Sequence, residues 1–370
     1  MAVGLPLKTT YADGDVYAAS DVNDTNGTIN ITAAPYAAGK NKIINGDFTI
    51  NQRNFTSTTT NGAFGYDRWN IAAVDGTTTF SSQQFTPGTA PVAGYEGTNY
   101  AQITTTGQTA TNAQSTLRQR IEDVRTYAGQ TVTLSFWAKS SSGTPSIAVE
   151  LVQGFGTGGS PSAAVNSIGV TKQAITTSWT RYSFTISVPS ISGKTIGTDA
   201  NSSLLLVNTW ISAGTDFNSR TGSLGIQTTT IDIWGVQLEA GSTATAFQTA
   251  TGTIQGELAL CQRYYYQVPD GLNESIGMAF YLSATELDLI LQLPVQMRTT
   301  PTLTQTSGTD YFKFTRNGGT DNFDGFTLAG ESTTATVWAY NNSGASGTAG
   351  QAGLIQFNNA LAKLAFSSEF

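Results

Sequence analysis

Histidine is absent from this chain, and cysteine occurs once, at Cys261. The first absence removes the side chain that most often serves as general base near neutral pH and most often binds transition metals, so histidine triads and zinc-hydrolase sites are excluded. The second excludes an intrachain disulfide framework and a cysteine-based zinc site. Charge is scarce as well: charged residues are 12% of the sequence, the net charge is -7, and no run of Lys or Arg occurs. Nucleic-acid binding needs a basic stripe against phosphate, so that partner is excluded. No apolar run approaches the roughly 20 residues needed to span a bilayer, so no membrane insertion is expected. The opening MAVGLPLKTTYADGD lacks the apolar stretch of a signal peptide, which implies synthesis in a cytoplasm and exit by a route other than secretion. Thr, Ser, Asn, Gln and Gly stand where charge is missing, which is the surface chemistry of extracellular β-proteins. At 370 residues the chain is long enough for two or three units, each with its own core.

Residues 1–42 carry little core material. Ser20 or Asp21 is placed to cap a short helix, and the segment reads either as a floppy leader or as a docking arm that orders on assembly. From Asn45 the pattern becomes a two-residue alternation. Over 131–138, Val132, Leu134, Phe136 and Ala138 share one face while Thr133, Ser135 and Trp137 take the other; 182–188 repeats the pattern, with Tyr182, Phe184, Ile186 and Val188 inward. Further strands are predicted over 99–103, 146–152, 204–210 and 230–238, with the LLLV run at 204–207 as a central strand apolar on both faces. Gly/Ser/Pro-rich turns separate them without a convincing intervening helix, which indicates an all-β sandwich. One stretch breaks the rhythm: Ile254, Leu258, Cys261 and Tyr265 recur at helical spacing and predict a short linking helix, with Cys261 as a small buried residue in its seam. Beyond it, strands are predicted over 276–280, 287–293, 311–315, 323–328, 334–340, 354–358 and 361–366, with Asn317-Gly318-Gly319 as a turn.

Three stretches, in order and spacing, resemble tailed-bacteriophage and prophage tail or receptor-binding proteins built around a carbohydrate-binding-module-like jelly roll. They are NKIINGDFTINQR with YDRW (Asn41 to Trp69), TLSFWAK (Thr133 to Lys139), and IDIWGVQLEAGSTATAF running on to LCQRYY (Ile231 to Tyr265). The later LPVQMRTTP, from Leu293 to Pro301, is similar to a strand and turn in the C-terminal β domains of the same proteins. The resemblance implies an all-β fold: a jelly-roll β-sandwich followed by a smaller β-sandwich domain, with a short N-terminal arm and one short linking helix. The divisions are 1–42 for a virion-attachment arm, 43–250 for the jelly roll, 251–266 for the linking helix and 267–370 for the C-terminal β domain. It also implies a non-catalytic homotrimer, assembled in the host bacterial cytoplasm and displayed on the virion surface as a tail fibre or receptor-binding protein. Its partners would be itself, other virion proteins through the N-terminal arm, and a host cell-surface glycan or protein. A capsid- or neck-mounted head fibre or decoration protein is the alternative, and a polysaccharide depolymerase the second alternative.

A sugar site needs aromatic rings against C–H faces and polar groups for hydroxyls. Trp137 and Trp234 are the candidates, with core or subunit-interface packing as the competing role; Trp234 is expected to face with Val236 and Leu238. Jelly rolls of the resembled type often carry a structural Ca²⁺ on hard oxygen ligands, and the resemblance puts Asp47, Glu96 and Asp232 near it. Asp47 in Asn45-Gly46-Asp47 reads equally as a turn former. No other cofactor is expected. A depolymerase would need two carboxylates about 5 to 10 Å apart. Glu150, Glu239, Glu286 and Asp288 are the available ones, each also readable as a solvated strand residue. The long repeat of a β-helix is missing, and no enzymatic activity is expected.

Overall fold

The computed structural model describes residues 38–370. The predicted helix around Ser20 and Asp21, and most of the expected attachment arm, lie outside them. The described part of that arm is already built into the fold: Asn41 is buried, and its side chain donates to the carbonyls of Val236 and Gln248.

The chain is nearly all β. The first unit is a jelly-roll-type sandwich of two antiparallel sheets. One sheet contains β1 (Ser57–Thr58), β3 (Thr77–Gln84), β4 (Asn99–Thr106), β6 (Thr131–Ser140), β9 (Thr180–Ser187) and β11 (Thr229–Ala240), in the order β1-β3-β4-β11-β6-β9. The facing sheet contains β2 (Asn70–Val74), β5 (Gln114–Glu122), β7 (Ser146–Gly154), β8 (Val165–Ala174) and β10 (Leu204–Ala213), in the order β2-β5-β10-β7-β8. The alternation seen in the sequence sets the inner layer. Val132, Leu134 and Phe136 of β6 and Tyr182, Phe184 and Ile186 of β9 meet Ile147, Val149 and Leu151 of β7 and Leu205 and Val207 of β10 in one core. The LLLV run does lie on a central strand, but Leu204 and Leu206 are half-exposed, so it is apolar-inward rather than buried on both faces.

The NGDF and YDRW residues close one end of this sandwich. Phe48 packs 5.3 Å from Tyr66 and 5.2 Å from Trp69, and the Trp69 indole donates to the Asn45 carbonyl at 2.9 Å. The Asn45 side chain in turn bonds the backbone of Ile50 and the carbonyl of Asp67. Such mutual satisfaction allows an irregular segment to be buried without orphaned backbone groups.

Helix α1, Ile254–Gln262, follows, capped by Thr253, which accepts from the Gly256 amide. It is shorter than the predicted span because Tyr265 already belongs to a strand. Its buried face also differs: Glu257 and Cys261 are enclosed while Ile254 is exposed. Glu257 goes inward because it accepts from the amides of Asn45 and Thr251. Burial pushes the Cys261 thiol well up, so it is an inert packing residue.

The second unit is a smaller sandwich. Strands β12 (Tyr265–Gln267), β15 (Thr302–Thr306) and β21 (Lys363–Ser367) form a three-stranded sheet in the order β12-β21-β15. Strands β13 (Ser275–Tyr281), β14 (Leu287–Gln292), β16 (Phe312–Arg316), β17 (Gly319–Phe323), β18 (Thr327–Leu328), β19 (Thr336–Asn341) and β20 (Ala352–Phe357) form a seven-stranded one, ordered β17-β16-β20-β13-β14-β19-β18. Phe312, Phe314, Phe323, Phe357 and Phe366 fill the space between. Asn317-Gly318 makes the expected turn between β16 and β17, with Gly318 at φ 88°. The strand predicted over 323–328 is instead two: Phe323 ends β17, and Thr327–Leu328 pairs with β19 on the opposite edge of the sheet.

Arginine–aromatic contacts join the units. The Arg53 guanidinium lies 3.6 Å from the Tyr265 ring, Arg68 lies 3.3 Å from Tyr264, and Arg298 lies 4.0 Å from Phe370. Glu369 pairs with both Arg53 and Arg68, Arg263 binds Glu122 through two nitrogens, and Arg298 donates to the carbonyls of Asn201, Ser368 and Glu369. The arginines of NQR, YDRW, LCQRYY and MRTTP thus converge on one seam, where their work is structural.

Candidate functional site: the outer face of the six-stranded sheet

The side of β4, β11, β6 and β9 that points away from the core is set by register. Gln102 pairs across with Asp232, which pairs with Lys139; one step along, Trp234 pairs with Trp137, which pairs with Arg181. These residues share a face because side chains two apart on a strand project together and cross-strand partners stand side by side.

Both predicted tryptophans belong to this face, but neither is open to a ligand. Trp137 is 9% exposed and Trp234 is 0% exposed. Phe85, Tyr95, Trp137 and Phe247 surround Trp234 at centroid distances of 6.0, 5.3, 5.6 and 5.0 Å. The segment between β3 and β4 covers it so closely that a Cβ on Gly97 would stand 3.1 Å from its indole nitrogen. Trp234 also does not share a face with Val236 and Leu238. A bulge between Trp234 and Gln237, with Gly235 at φ 65°, inserts one residue into β11, so Trp234 points out while Leu238 points to the core. The two tryptophans form the base of an aromatic layer, not its surface.

The accessible top of that layer is a pair the sequence reading did not single out. Tyr100 and Trp179 are both half-exposed, stand 5.4 Å apart edge to face, and rest on Phe85 at 4.8 and 5.5 Å. Lys139 Nζ reaches over both rings, at 5.7 and 5.2 Å. Beside them a polar row runs across the strands: Gln102 Nε2 donates to Asp232 Oδ1 at 2.8 Å, Lys139 Nζ lies 3.4 Å from Asp232 Oδ2, and Gln83 Nε2 donates to Gln102 Oε1 at 3.4 Å. Burial raises the Asp232 carboxyl above its ordinary range, with Gln102 and Lys139 opposing that rise. Burial, followed by the Asp232 charge, raises the Tyr100 phenol. Tyr100 was legible in part, since Tyr100, Gln102 and Thr104 alternate with Ala101 and Ile103. Trp179 was not: it precedes β9 and meets Tyr100 only through the long-range order β4-β11-β6-β9.

The three predicted calcium ligands do not assemble. Asp47 and Glu96 line one cavity of ≈ 290 Å³ together with Glu257, whereas Asp232 is engaged by Gln102 and Lys139 on the sheet face. Asp47 Oδ2 already accepts from Thr49 Oγ1 and the Tyr95 hydroxyl, at 2.8 and 2.7 Å. Among the described residues, no three acidic, histidine or cysteine groups are placed to hold a metal ion. The donor set does not fit a calcium site built on Asp47, Glu96 and Asp232 together.

Two of the carboxylates available to a depolymerase are also committed. Glu150 is enclosed beneath the helical turn Asn218–Thr221 and accepts from the Ser167 amide, Asn208, Trp210 and Arg220. Glu239 accepts from Gln237 and from both the amide and hydroxyl of Thr245, and it pairs with Lys40.

Residues 75–202 match the profile of the family described as a carbohydrate binding domain. The matched stretch runs from just before β3 to just before β10, and contains Tyr100, Gln102, Lys139 and Trp179 but not Asp232. No curated protein matches the chain. Among solved structures, the enzymatically active domain of bacteriophage CBA120 tailspike protein 4 is 15% identical, with 56% of this chain and 22% of that chain covered and a TM-score of 0.32. The match thus spans about a fifth of the length of that solved domain. A xylan-binding domain from Paenibacillus barcinonensis is 17% identical, covering 50% of this chain and 98% of its own, at a TM-score of 0.30. The family 11 carbohydrate-binding module of Clostridium thermocellum, in complex with a mixed-linked tetrasaccharide, is 11% identical, with 52% and 99% covered and a TM-score of 0.29.

Proposed function

We propose that the chain binds a glycan of a bacterial surface on the outer face of its six-stranded sheet, and that it does so as a non-catalytic attachment protein on the virion of a tailed bacteriophage. The observation that carries the binding site is the half-exposed Tyr100–Trp179 pair beside Gln83, Gln102, Lys139 and Asp232. Two aromatic faces take the C–H side of a pyranose, while amide, ammonium and carboxylate groups exchange hydrogen bonds with its hydroxyls. The match of residues 75–202 to a carbohydrate binding domain supports the same chemistry.

Virion display rests on the ordered resemblance of NGDF, YDRW, TLSFWAK and LCQRYY to tail and receptor-binding proteins. In this reading the chain is a homotrimer held to the particle through residues 1–42. An open, shallow site of this kind binds weakly, and three copies on one fibre raise avidity without higher single-site affinity. Non-catalytic binding rests on the same resemblance; Glu150 and Glu239 are taken up by hydrogen bonds within the sandwich.

The test is binding of the fluorescently labelled chain to host cells and to their extracted surface polysaccharide. Tyr100→Ala and Trp179→Ala should each weaken binding by about five- to a hundredfold, taking about 1–3 kcal/mol, the worth of a base stacked on an aromatic ring, as the scale for a sugar face. Unchanged binding in both variants refutes the site. Antibody-gold labelling of virions separates tail from head or neck mounting.

A further inference from the structure

The second unit has a recess that the sheet-face reading does not use. Strands β14 and β19 pair so that Asp288 stands opposite Tyr340 and Ile290 opposite Trp338, on the side of the sheet away from its core. The segment between β18 and β19 folds back over this side, with the Ser332 hydroxyl donating to the Trp338 carbonyl and accepting from its amide. The result is a cavity of ≈ 420 Å³ whose walls include Glu286, Asp288, Glu331, Trp338, Tyr340 and Leu282. Its size is that of an ordinary small-ligand pocket.

Its chemistry is one-sided. Three carboxyl groups line it and no basic side chain does, and none of the three carboxyls is in an ion pair among the described residues. The acids are not grouped closely enough to hold a metal ion. Asp288 is 0% exposed, and the Trp338 indole is the only donor that faces its two oxygens among the described residues. A buried acceptor left unmade costs about 1–3 kcal/mol, more if charged. The half-exposed rings of Trp338 and Tyr340 stand beside it. Burial raises the Asp288 carboxyl, the Trp338 indole opposes that rise, and the charges of Glu286 and Glu331 add to it; the charge of an incoming cation acts against it.

We propose that this cavity binds a primary ammonium group, presented by an amino sugar or by a lysine-type side chain. A primary ammonium brings further N–H donors for the Asp288 oxygens, positive charge for Glu286 and Glu331, and a cation for the faces of Trp338 and Tyr340. A quaternary ammonium offers only the last two. A neutral amide offers neither the charge nor the third donor. The site is separate from the Tyr100–Trp179 face and does not depend on it.

Calorimetric titration of the intact chain at neutral pH and low salt tests this with glucosamine, N-acetylglucosamine, Nα-acetyl-lysine amide and tetramethylammonium. Binding of glucosamine, of the lysine amide, or of both is expected, at least tenfold tighter than either control; which amine binds tells the source of the group. Asp288→Asn should weaken that binding roughly tenfold or more, the loss of one charge-assisted hydrogen bond. Glu331→Gln, at an exposed position, should weaken it by about threefold and keep the thermal melt of the parent, so the test survives if the Asp288 variant does not fold. N-acetylglucosamine binding as tightly as glucosamine, or no binding of either amine at millimolar concentration, overturns the proposal. So does amine binding lost in Trp179→Ala but kept in Asp288→Asn, which would assign it to the sandwich face instead.

Discussion

Substituting Glu369 by Gln is the sharpest probe of how the two β units are held together. The Glu369 carboxylate bridges Arg68 and Arg53, and the Arg68 side chain is 1% exposed while that of Glu369 is 6% exposed. Arg68 also stacks on Tyr264 and donates to the Arg120 carbonyl, while Arg53 keeps Asp67 as a second partner. The variant amide still accepts one hydrogen bond but no longer neutralises two guanidinium groups. Breaking a buried pair from one side costs about 3–5 kcal/mol, and the retained acceptor argues for the low end, about 3 kcal/mol. If that energy is spent on local opening of the seam, hydrogen exchange of the amides of Tyr265–Gln267 accelerates on the order of a hundredfold. Strands of the sandwich core, such as Ser146–Gly154, serve as the internal control. Adding Arg68→Met should recover much of the loss, because the uncompensated charge is then gone, and the difference between single and double variants reports the coupling. Exchange at Tyr265–Gln267 within threefold of the parent in Glu369→Gln would refute the reasoning.

Burial raises the Asp67 carboxyl from 3.8 to about 6, against the opposing pull of Arg53 and the Gln52 amide. A folded-state value above the unfolded one means stability that is complete below pH 3.8 and lost as pH rises through about 6. Asp67→Asn should therefore gain on the parent by about 2–2.5 kcal/mol between pH 4 and pH 7 in urea unfolding, and a difference that does not change with pH contradicts it. Gly46→Ala should destabilise by about 2–3 kcal/mol, because the added Cβ would stand 2.1 Å from the Val236 carbonyl oxygen; a melt unchanged from the parent would remove that steric argument. Chelation with EDTA should leave the melting temperature unchanged, since Asp232 stands apart from Asp47 and Glu96; a drop of several degrees, restored by Ca²⁺, would show a calcium site that these residues do not reveal.

What the sequence determined by itself is the class of the molecule. Strict alternation in residues such as Val132, Leu134 and Phe136 commits β6 to one core-facing side, because that choice depends only on neighbours two positions away, whereas the burial of Thr133, Ser135 and Trp137 on its other side comes from tertiary cover. The same local logic made Asn317-Gly318 a turn. The lack of histidine and the lone Cys261 removed whole classes of chemistry without reference to any fold. The site was decided elsewhere. Alternation places Tyr100 on an outward face, but only the pairing of β4 to β11, β11 to β6 and β6 to β9 brings Trp179 against it. Trp234 was open to either a ligand or a packing role until the Gly235 bulge and the covering segment at Gly97 enclosed it, and only the Asn45 amide explains why Glu257 turns inward. Glu286 and Asp288 stood in the sequence as two available carboxylates and Glu331 was not singled out; the pairing of β14 with β19 and the fold-back of the segment before β19 made them one cavity. Local periodicity fixes which way a side chain points. Strand order, bulges and loop cover join residues tens to hundreds of positions apart, and those contacts exist only once the sheets have assembled.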